Sequence, residues 1–245
     1  MLIIDGMVVE NLSAGISLID GYLSTPMSTI DVKDIERITV LKDATTLYGV
    51  KGSNGAIVIE TKRAKDAETR ITAQITTGMN LKPSSIPMLD AVQSKRYLMD
   101  VYQSRGYSAG DIQKLPFIND TKPEQHSWGY EGNADYYRYN KNTDWQDQLF
   151  VQGFKQNYSI GVMGGDDVAL YALSLGYLQN EGLVKGTDFS RFSARINTDI
   201  NFSPKFTVQT NMNFVYGKKN LMQEGNASPQ NPIYASLVKS PFMAG

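Results

Sequence analysis

The run Arg191-Phe192-Ser193-Ala194-Arg195-Ile196-Asn197-Thr198-Asp199-Ile200-Asn201-Phe202 turns at Ser203-Pro204. It resumes as Phe206-Thr207-Val208-Gln209-Thr210-Asn211-Met212-Asn213-Phe214-Val215-Tyr216. Side chains in an extended strand point alternately to opposite faces. Phe192, Ala194, Ile196, Thr198, Ile200 and Phe202 therefore share one face, opposite Arg191, Ser193, Arg195, Asn197, Asp199 and Asn201. The second run sets Phe206, Val208, Thr210, Met212, Phe214 and Tyr216 against Thr207, Gln209, Asn211 and Asn213. Strict alternation predicts two half-buried antiparallel strands. Globular strands average ~5–6 residues, whereas a tilted membrane strand needs ~9–11; these runs are of the second kind. Phe192 and Phe202 are ten residues apart, roughly 33 Å of strand. A tilt of ~45° brings that to about 23 Å, near the ~25 Å apolar band of an outer-membrane barrel with its flanking aromatic girdles. Phe206 and Tyr216 repeat the spacing.

Shorter versions of the pattern occupy residues 70–79, 157–164 and 168–179, with Tyr171, Leu173, Leu175 and Tyr177 sharing a face in the last. Tyr171 and Tyr177 are too close to reach both girdles, so that strand supports the barrel less. The connections alternate between tight turns (Gly164–Asp167, Ser203-Pro204) and longer segments (Asn180–Asp188, 81–156). Short periplasmic turns and long extracellular loops are the habit of outer-membrane barrels. A soluble β-sandwich with a structural or adhesive role is the competing architecture. Within the long loop, Asp90–Tyr102 reads as a short helix with Asp90 as N-cap. The prolines at 229, 232 and 241 suggest a polar loop leading to a further strand.

Residues 1–66 differ in character. Short apolar runs flank Asp5-Gly6, a hairpin-like turn; Arg37–Leu41 and Ala56–Thr61 read as strands; Asp43 is placed to cap one helical turn. Leu2-Ile3-Ile4 lacks a basic flank and a cleavage site, so it reads as a strand rather than a leader, with more chain upstream. The expected architecture is a membrane all-β protein: a partial transmembrane antiparallel barrel (67–245) preceded by part of a small α/β plug domain (1–66).

Composition excludes several classes of chemistry. With 24 basic and 25 acidic residues there is no basic excess for nucleic acid. Zero cysteines remove disulfides and thiolate metal sites, and the one histidine, His126, makes a His-based relay improbable. The Gly49–Gly55 loop lacks the ending of a phosphate loop; its glycines suit turns with positive φ. Asp144/Asp147 and Asp166-Asp167 lack calcium-loop spacing and read as turn residues. No enzyme, metal or cofactor is expected. Trp128, Tyr130, Tyr136, Tyr137, Tyr139 and Trp145 concentrate aromatics, including both tryptophans, in one stretch. They suit a stacking surface for substrate or partner, or packing of the loop against the rim.

The run Asp34-Ile35-Glu36-Arg37-Ile38-Thr39-Val40-Leu41-Lys42-Asp43-Ala44, with Leu47-Tyr48-Gly49 and Gly52-Ser53-Asn54-Gly55-Ala56-Ile57-Val58-Ile59-Glu60-Thr61-Lys62, resembles the plug signature of SusC/RagA-type TonB-dependent transporters. Ile3-Ile4-Asp5-Gly6, Asn142-Thr143-Asp144-Trp145, Leu175–Gly182 and Phe189–Phe192 are similar to stretches of that family in the same order. The resemblance implies a plug inside a barrel of about twenty-two strands in the outer membrane of a Gram-negative, Bacteroidota-like cell. It implies energy-coupled import of oligosaccharides or peptides. The partners it implies are a SusD-like surface lipoprotein, and a TonB–ExbB–ExbD energising complex reached through an N-terminal segment. About five strands are fewer than the ~8 of the smallest barrels, and an open sheet in lipid leaves backbone groups unsatisfied. Residues 1–245 expressed alone are therefore expected to be insoluble or proteolysed. A folded monomer by size exclusion and circular dichroism, without detergent, would overturn the barrel reading.

Overall fold

A computed structural model describes residues 1–9, 30–115, 117–118, 139, 141–222 and 230–243. Strands β1 (Leu2–Ile4) and β2 (Met7–Val9) form a hairpin across Asp5-Gly6, where both residues have positive φ, 47° and 81°. Two residues of positive φ give the turn whose twist matches the flanking strands. Strands β3 (Ile35–Leu41) and β4 (Ala56–Thr61) complete a sheet of order β2-β1-β4-β3. β1 and β4 are parallel; the other pairs are antiparallel. Helix α1 (Thr45–Tyr48) and a 3-10 turn (Gly49–Gly52) link β3 to β4. Ile3, Ala44 and Ala56 are the buried centre. A Cβ on Gly55 (φ 82°) would lie 2.6 Å from the Leu41 carbonyl oxygen, and one on Gly52 2.6 Å from the Ala44 carbonyl. The glycine-rich segment is thus a tight fold-back over α1. Asp43 accepts hydrogen bonds from the Thr45 amide (2.9 Å) and hydroxyl (2.6 Å), which hold its carboxyl below the usual aspartate range.

A second sheet is a five-stranded antiparallel meander: β5 (Arg70–Asn80), β6 (Gly153–Gly165), β7 (Ala169–Glu181), β8 (Asp188–Ser203) and β9 (Phe206–Asn220). Its polarity is inverted relative to a soluble sheet. Arg191, Ser193, Arg195 and Asn197 of β8 are buried, Asn197 to 2 % exposure, while Phe192 and Ile196 between them stay 41 % and 40 % exposed. In register, apolar residues continue across neighbours: Leu173–Ile196–Met212 and Leu175–Ala194–Phe214. Two stacked soluble sheets would cover that face, yet it lies bare among the described residues. The sandwich is therefore set aside; hydrocarbon is the solvent this face fits.

Tyr158, Tyr177, Phe192 and Tyr216 are cross-strand partners in one row. Tyr177 thus belongs to an aromatic row built from four strands, a role that spacing within one strand could not reveal. Phe202 and Phe206 mark the opposite end, their rings 5.8 Å apart. Beyond the row the strands continue mostly in polar residues (Asn80, Lys155, Gln156, Asn180, Glu181, Lys218, Lys219 and Asn220), with Met79, Phe154 and Phe189 among them. This extension makes β6 start at Gly153 rather than near 157. Where both faces meet water, alternation carries no signal.

Residues 82–151 and 224–245 form a separate compact unit. The long connection is thus partly helical: α2 (Ala91–Ser104), α3 (Ala109–Gln113) and α4 (Trp145–Leu149). Asp90 caps α2 as expected, in a reciprocal capping box with Gln93. The proline-bearing tail, read as a loop, contains helix α5 (Pro232–Val238) with proline in its first turn. Phe117 stacks on Phe242 (5.4 Å), beside the buried Ile112 and Ile118. No helix among the described residues is long and apolar enough to cross a membrane.

Ile196 lies mid-strand on the bare face and Asn197 on the covered one. In the complete protein, Ile196→Arg should destabilise by ~2–4 kcal/mol if that site is near the midplane. Denaturant titration in detergent or lipid reads this out, and equal folding of wild type and Ile196→Arg would contradict the assignment.

Candidate functional site

The buried polar face of β8 is where the two sheets meet, and the contacts follow the strand in order. Arg191 donates to the Ile30 carbonyl (2.9 Å) and to Asp31 (3.2 Å). Arg195 lies 3.4 Å from both Asp5 and Asp34. The Asn197 amide donates to the Thr61 hydroxyl (2.8 Å) and the Lys62 carbonyl (2.9 Å). Arg63 reaches across to Asp199 and to Asn211 of β9, and Lys33 donates to Ser159 of β6 (2.9 Å). Asp5 is the hub, also accepting from the Thr61 amide and hydroxyl, both at 2.7 Å. The β1–β2 turn thereby ties itself to the end of β4 and to β8 at once.

Small residues make this approach possible. The wall opposite the small sheet carries Ser159, Gly161, Ser174, Gly176 and Ser193 in adjacent register positions. A Cβ on Gly176 would lie 2.7 Å from the Ser193 hydroxyl and 3.1 Å from the Asp31 carboxylate. Beside the contacts lies a cavity of about 80 Å³ lined by Lys33, Asp34, Lys62, Arg195 and Asn197 among others. Buried ion pairs of this kind contribute little net stability, but removing one partner leaves a charge stranded at a cost of ~3–5 kcal/mol. The arrangement therefore specifies one docked position more than it adds stability.

Sequence reading placed Arg195 and Asn197 on the polar face but did not join them to Asp5, Asp31 or Asp34. The available signal was two arginines at i and i+4 on the inward face of the clearest strand, since an inward charge in a barrel requires a counter-charge.

The aromatic residues proposed as a contact surface are only partly within the described structure. Trp128, Tyr130, Tyr136 and Tyr137 lie outside the described residues, as does His126. Tyr139 is half-buried, and no ring contact joins it to Trp145. Trp145 opens α4 and donates from its indole nitrogen to the Ser240 carbonyl (3.0 Å), while the Lys239 ammonium lies 3.5 Å from its ring centroid. Its neighbours form a clasp. Asn142 accepts from the Ala91 amide (3.0 Å), Thr143 donates to the Pro241 carbonyl (2.8 Å), and Asp144 caps α4. The buried Gln146 accepts from the Ile86 amide (2.8 Å) and donates to the Ile86 carbonyl (2.7 Å). Asp166 is a turn residue, accepting from the amides of Val168 and Ala169. Among the described residues, no three acidic, histidine or cysteine side chains are grouped to hold a metal.

A five-stranded sheet with a lipid-compatible outer face, and a small mixed α/β domain bound to its polar inner face, define a plugged outer-membrane barrel, present here in part. No family model matches the chain. It is 30 % identical over 257 residues to the TonB-dependent receptor SusC of Bacteroides thetaiotaomicron, covering all of this chain and 22 % of that protein. It is 28 % identical over 218 residues to a TonB-dependent receptor of Formosa agariphila, covering 85 % of this chain and 20 % of the relative. Among solved structures, that of the RagAB peptide transporter superposes with a TM-score of 0.76 at 21 % identity, over 99 % of this chain and 27 % of the other. Along its whole length the chain is similar to TonB-dependent receptors of the SusC/RagA type. It spans about a fifth of the length of the curated relatives it matches.

Arg195→Ala should loosen the docked domain by ~3–5 kcal/mol, because Asp5 and Asp34 stay buried without their cation. Adding Asp5→Asn and Asp34→Asn should restore much of that. Hydrogen exchange at the Leu2–Ile4 amides of the complete receptor measures it; protection unchanged in Arg195→Ala would remove these contacts from any docking role.

Proposed function

We propose that this chain is part of an energy-coupled import channel of the outer membrane. Residues 1–66 are the C-terminal part of the plug domain and residues 67–245 the first strands of the barrel with an extracellular unit. The observation that carries the reading is the inverted sheet, apolar outward and polar inward, with the small domain docked on its charged inner wall. A domain held in a pore by polar contacts around a small polar-lined cavity suits a gate that must move. A purely hydrophobic contact would give no such release. The cell envelope is Gram-negative and Bacteroidota-like, as in the first two relatives. The substrate class is oligosaccharide or peptide, and the partners are a SusD-like surface lipoprotein and the TonB–ExbB–ExbD complex. Trp128, Tyr130, Tyr136, Tyr137, Tyr139 and Trp145 are proposed to contact substrate or that lipoprotein. No catalytic role is proposed.

The test is uptake in cells. A strain lacking the complete receptor should lose accumulation of a labelled oligosaccharide or peptide that the parent takes up, and re-expression should restore it. A protonophore should abolish the restored uptake. Accumulation that ignores either the deletion or the protonophore would defeat the proposal.

A further inference from the structure

The small domain is held unevenly. Arg191, Arg195, Asn197 and Asp199 of β8 and Asn211 of β9 are all bonded to it. Apart from the exposed Asp66–Arg70 pair in the connecting segment, one hydrogen bond joins it to β5, β6 or β7 among the described residues. That bond runs from the Lys33 ammonium to the Ser159 hydroxyl (2.9 Å). Strand β7 comes near at Gly176, where the missing side chain makes room for Asp31. Lys33 stands in a 3-10 turn, Val32–Asp34, between Asp31 and Asp34, which pair with Arg191 and Arg195. A single turn thus reaches both sides of the wall, with two carboxylates on β8 and one lysine on β6.

The weakly held side is polar and slight. Alternation puts Thr72, Gln74, Thr76, Gly78 and Asn80 of β5 on the inner face, and all but Asn80 are exposed. In register, Thr72, Gly161 and Ser174 form one row, and Gln74, Ser159 and Gly176 the next. Between this patch and Lys33, Asp34 and Lys62 of the small domain lies the cavity of about 80 Å³. Two groups on residues that border it are unsatisfied among the described residues. They are the Arg195 Nε, 3.4 Å from Asp34 without a hydrogen bond, and the Asn197 Oδ1. Both residues are more than nine-tenths buried. A buried donor and acceptor without protein partners call for water or a polar solute, and one water needs only ~10–15 Å³ of such space.

We infer that the inner faces of β5, β6 and β7 are the wall along which imported solute crosses, while the small domain stays on β8 and β9. The Lys33–Ser159 bond is the latch. Releasing it returns one half-buried ammonium to water. Leaving β8 would instead strand Arg191 and Arg195 from their carboxylates, which costs far more. The wall suits a hydrated, polar solute. Across its two central rows, hydroxyls, an amide and glycines exchange hydrogen bonds with a sliding molecule and bring no fixed charge to arrest it. The inference rests on the import reading and says which side of the small domain gives way.

The experiment uses the complete receptor in a background without other cysteines; these 245 residues contain none. Ser174→Cys and Ser193→Cys are labelled separately in purified receptor with a charged methanethiosulfonate, and the rates are read by mass spectrometry. Adding Lys33→Met should speed labelling of Ser174→Cys about tenfold, one hydrogen bond's worth, and leave Ser193→Cys as slow as before. Ser159→Ala, which removes the acceptor instead, should do the same. Acceleration at both positions, or at neither, would overturn the inference. In cells, Lys33→Cys with Ser159→Cys is cross-linked by a short, reducible bifunctional thiol reagent, and so is Arg63→Cys with Asp199→Cys. Uptake of labelled maltooligosaccharides or casein peptides, whichever the parent accumulates, is compared with each receptor's own reduced form. The first cross-link should stop uptake until reduced, and the second should not change it. Uptake through the first cross-link, or its loss through the second, would overturn the inference. A parent strain that accumulates neither probe through the receptor would count against the import reading, while the labelling rates would still decide which side opens.

Discussion

Every feature of the larger sheet follows from one constraint: its outward face meets hydrocarbon, so the polar groups of the strands can find partners only inward. This is why Arg191, Arg195 and Asn197, which a soluble sheet would send to water, are buried in β8. Burial of charge is tolerable only with counter-charge and hydrogen bonds in place. The small domain supplies them through Asp5, Asp31, Asp34 and the Thr61–Arg63 segment. The two sheets are therefore interdependent. The wall needs a polar occupant, and the occupant is positioned by the wall.

The same constraint explains the distribution of side-chain size. Inward positions opposite the docked domain include Ser159, Gly161, Ala172, Ser174 and Gly176 on β6 and β7, whereas β8 adds the long Arg191 and Arg195 on either side of the small Ser193. The domain is close enough to one stretch of wall for Gly176 to matter and is reached by arginines from the next. Outward positions show the reverse trend, with Tyr158, Tyr177, Phe192 and Tyr216 aligned across the strands. Aromatic side chains with a polar tip suit the boundary between hydrocarbon and water.

Much of this was legible in the sequence because period-two alternation is a local signal. The faces of β8 and β9, the turns at Asp5-Gly6 and Gly164–Asp167, and the capping of α2 by Asp90 all depend on neighbours a few residues away. What was not legible depends on distance in the chain. The partners of Arg191 and Arg195 lie some 160 and 190 residues upstream, and no local pattern names them. The beginning of β6 was hidden because Gly153, Lys155 and Gln156 leave Phe154 as a lone apolar residue with no alternation around it, and α5 because its prolines and polar flanks resemble a loop. Tyr177 shows the same limit: its neighbours in the aromatic row sit on other strands. Of the proposed contact aromatics, only Tyr139 and Trp145 fall within the described residues. There Trp145 acts first as a fastener between the start of α4 and the segment after α5.

The order of the contacts along β8 has a mechanical consequence. From Ile30–Asp31 at Arg191 to Arg63 at Asp199, the attachments are strung over eight residues of one strand, roughly 26 Å. Bonds in a line respond to load according to its direction. A pull parallel to the strand shares tension among all of them, and the joint resists as their sum. A pull from either end concentrates tension on the terminal bond, and the joint opens like a zip, one weak link after another. The same few contacts can thus be stiff under a load along the strand and yielding under one applied at either end.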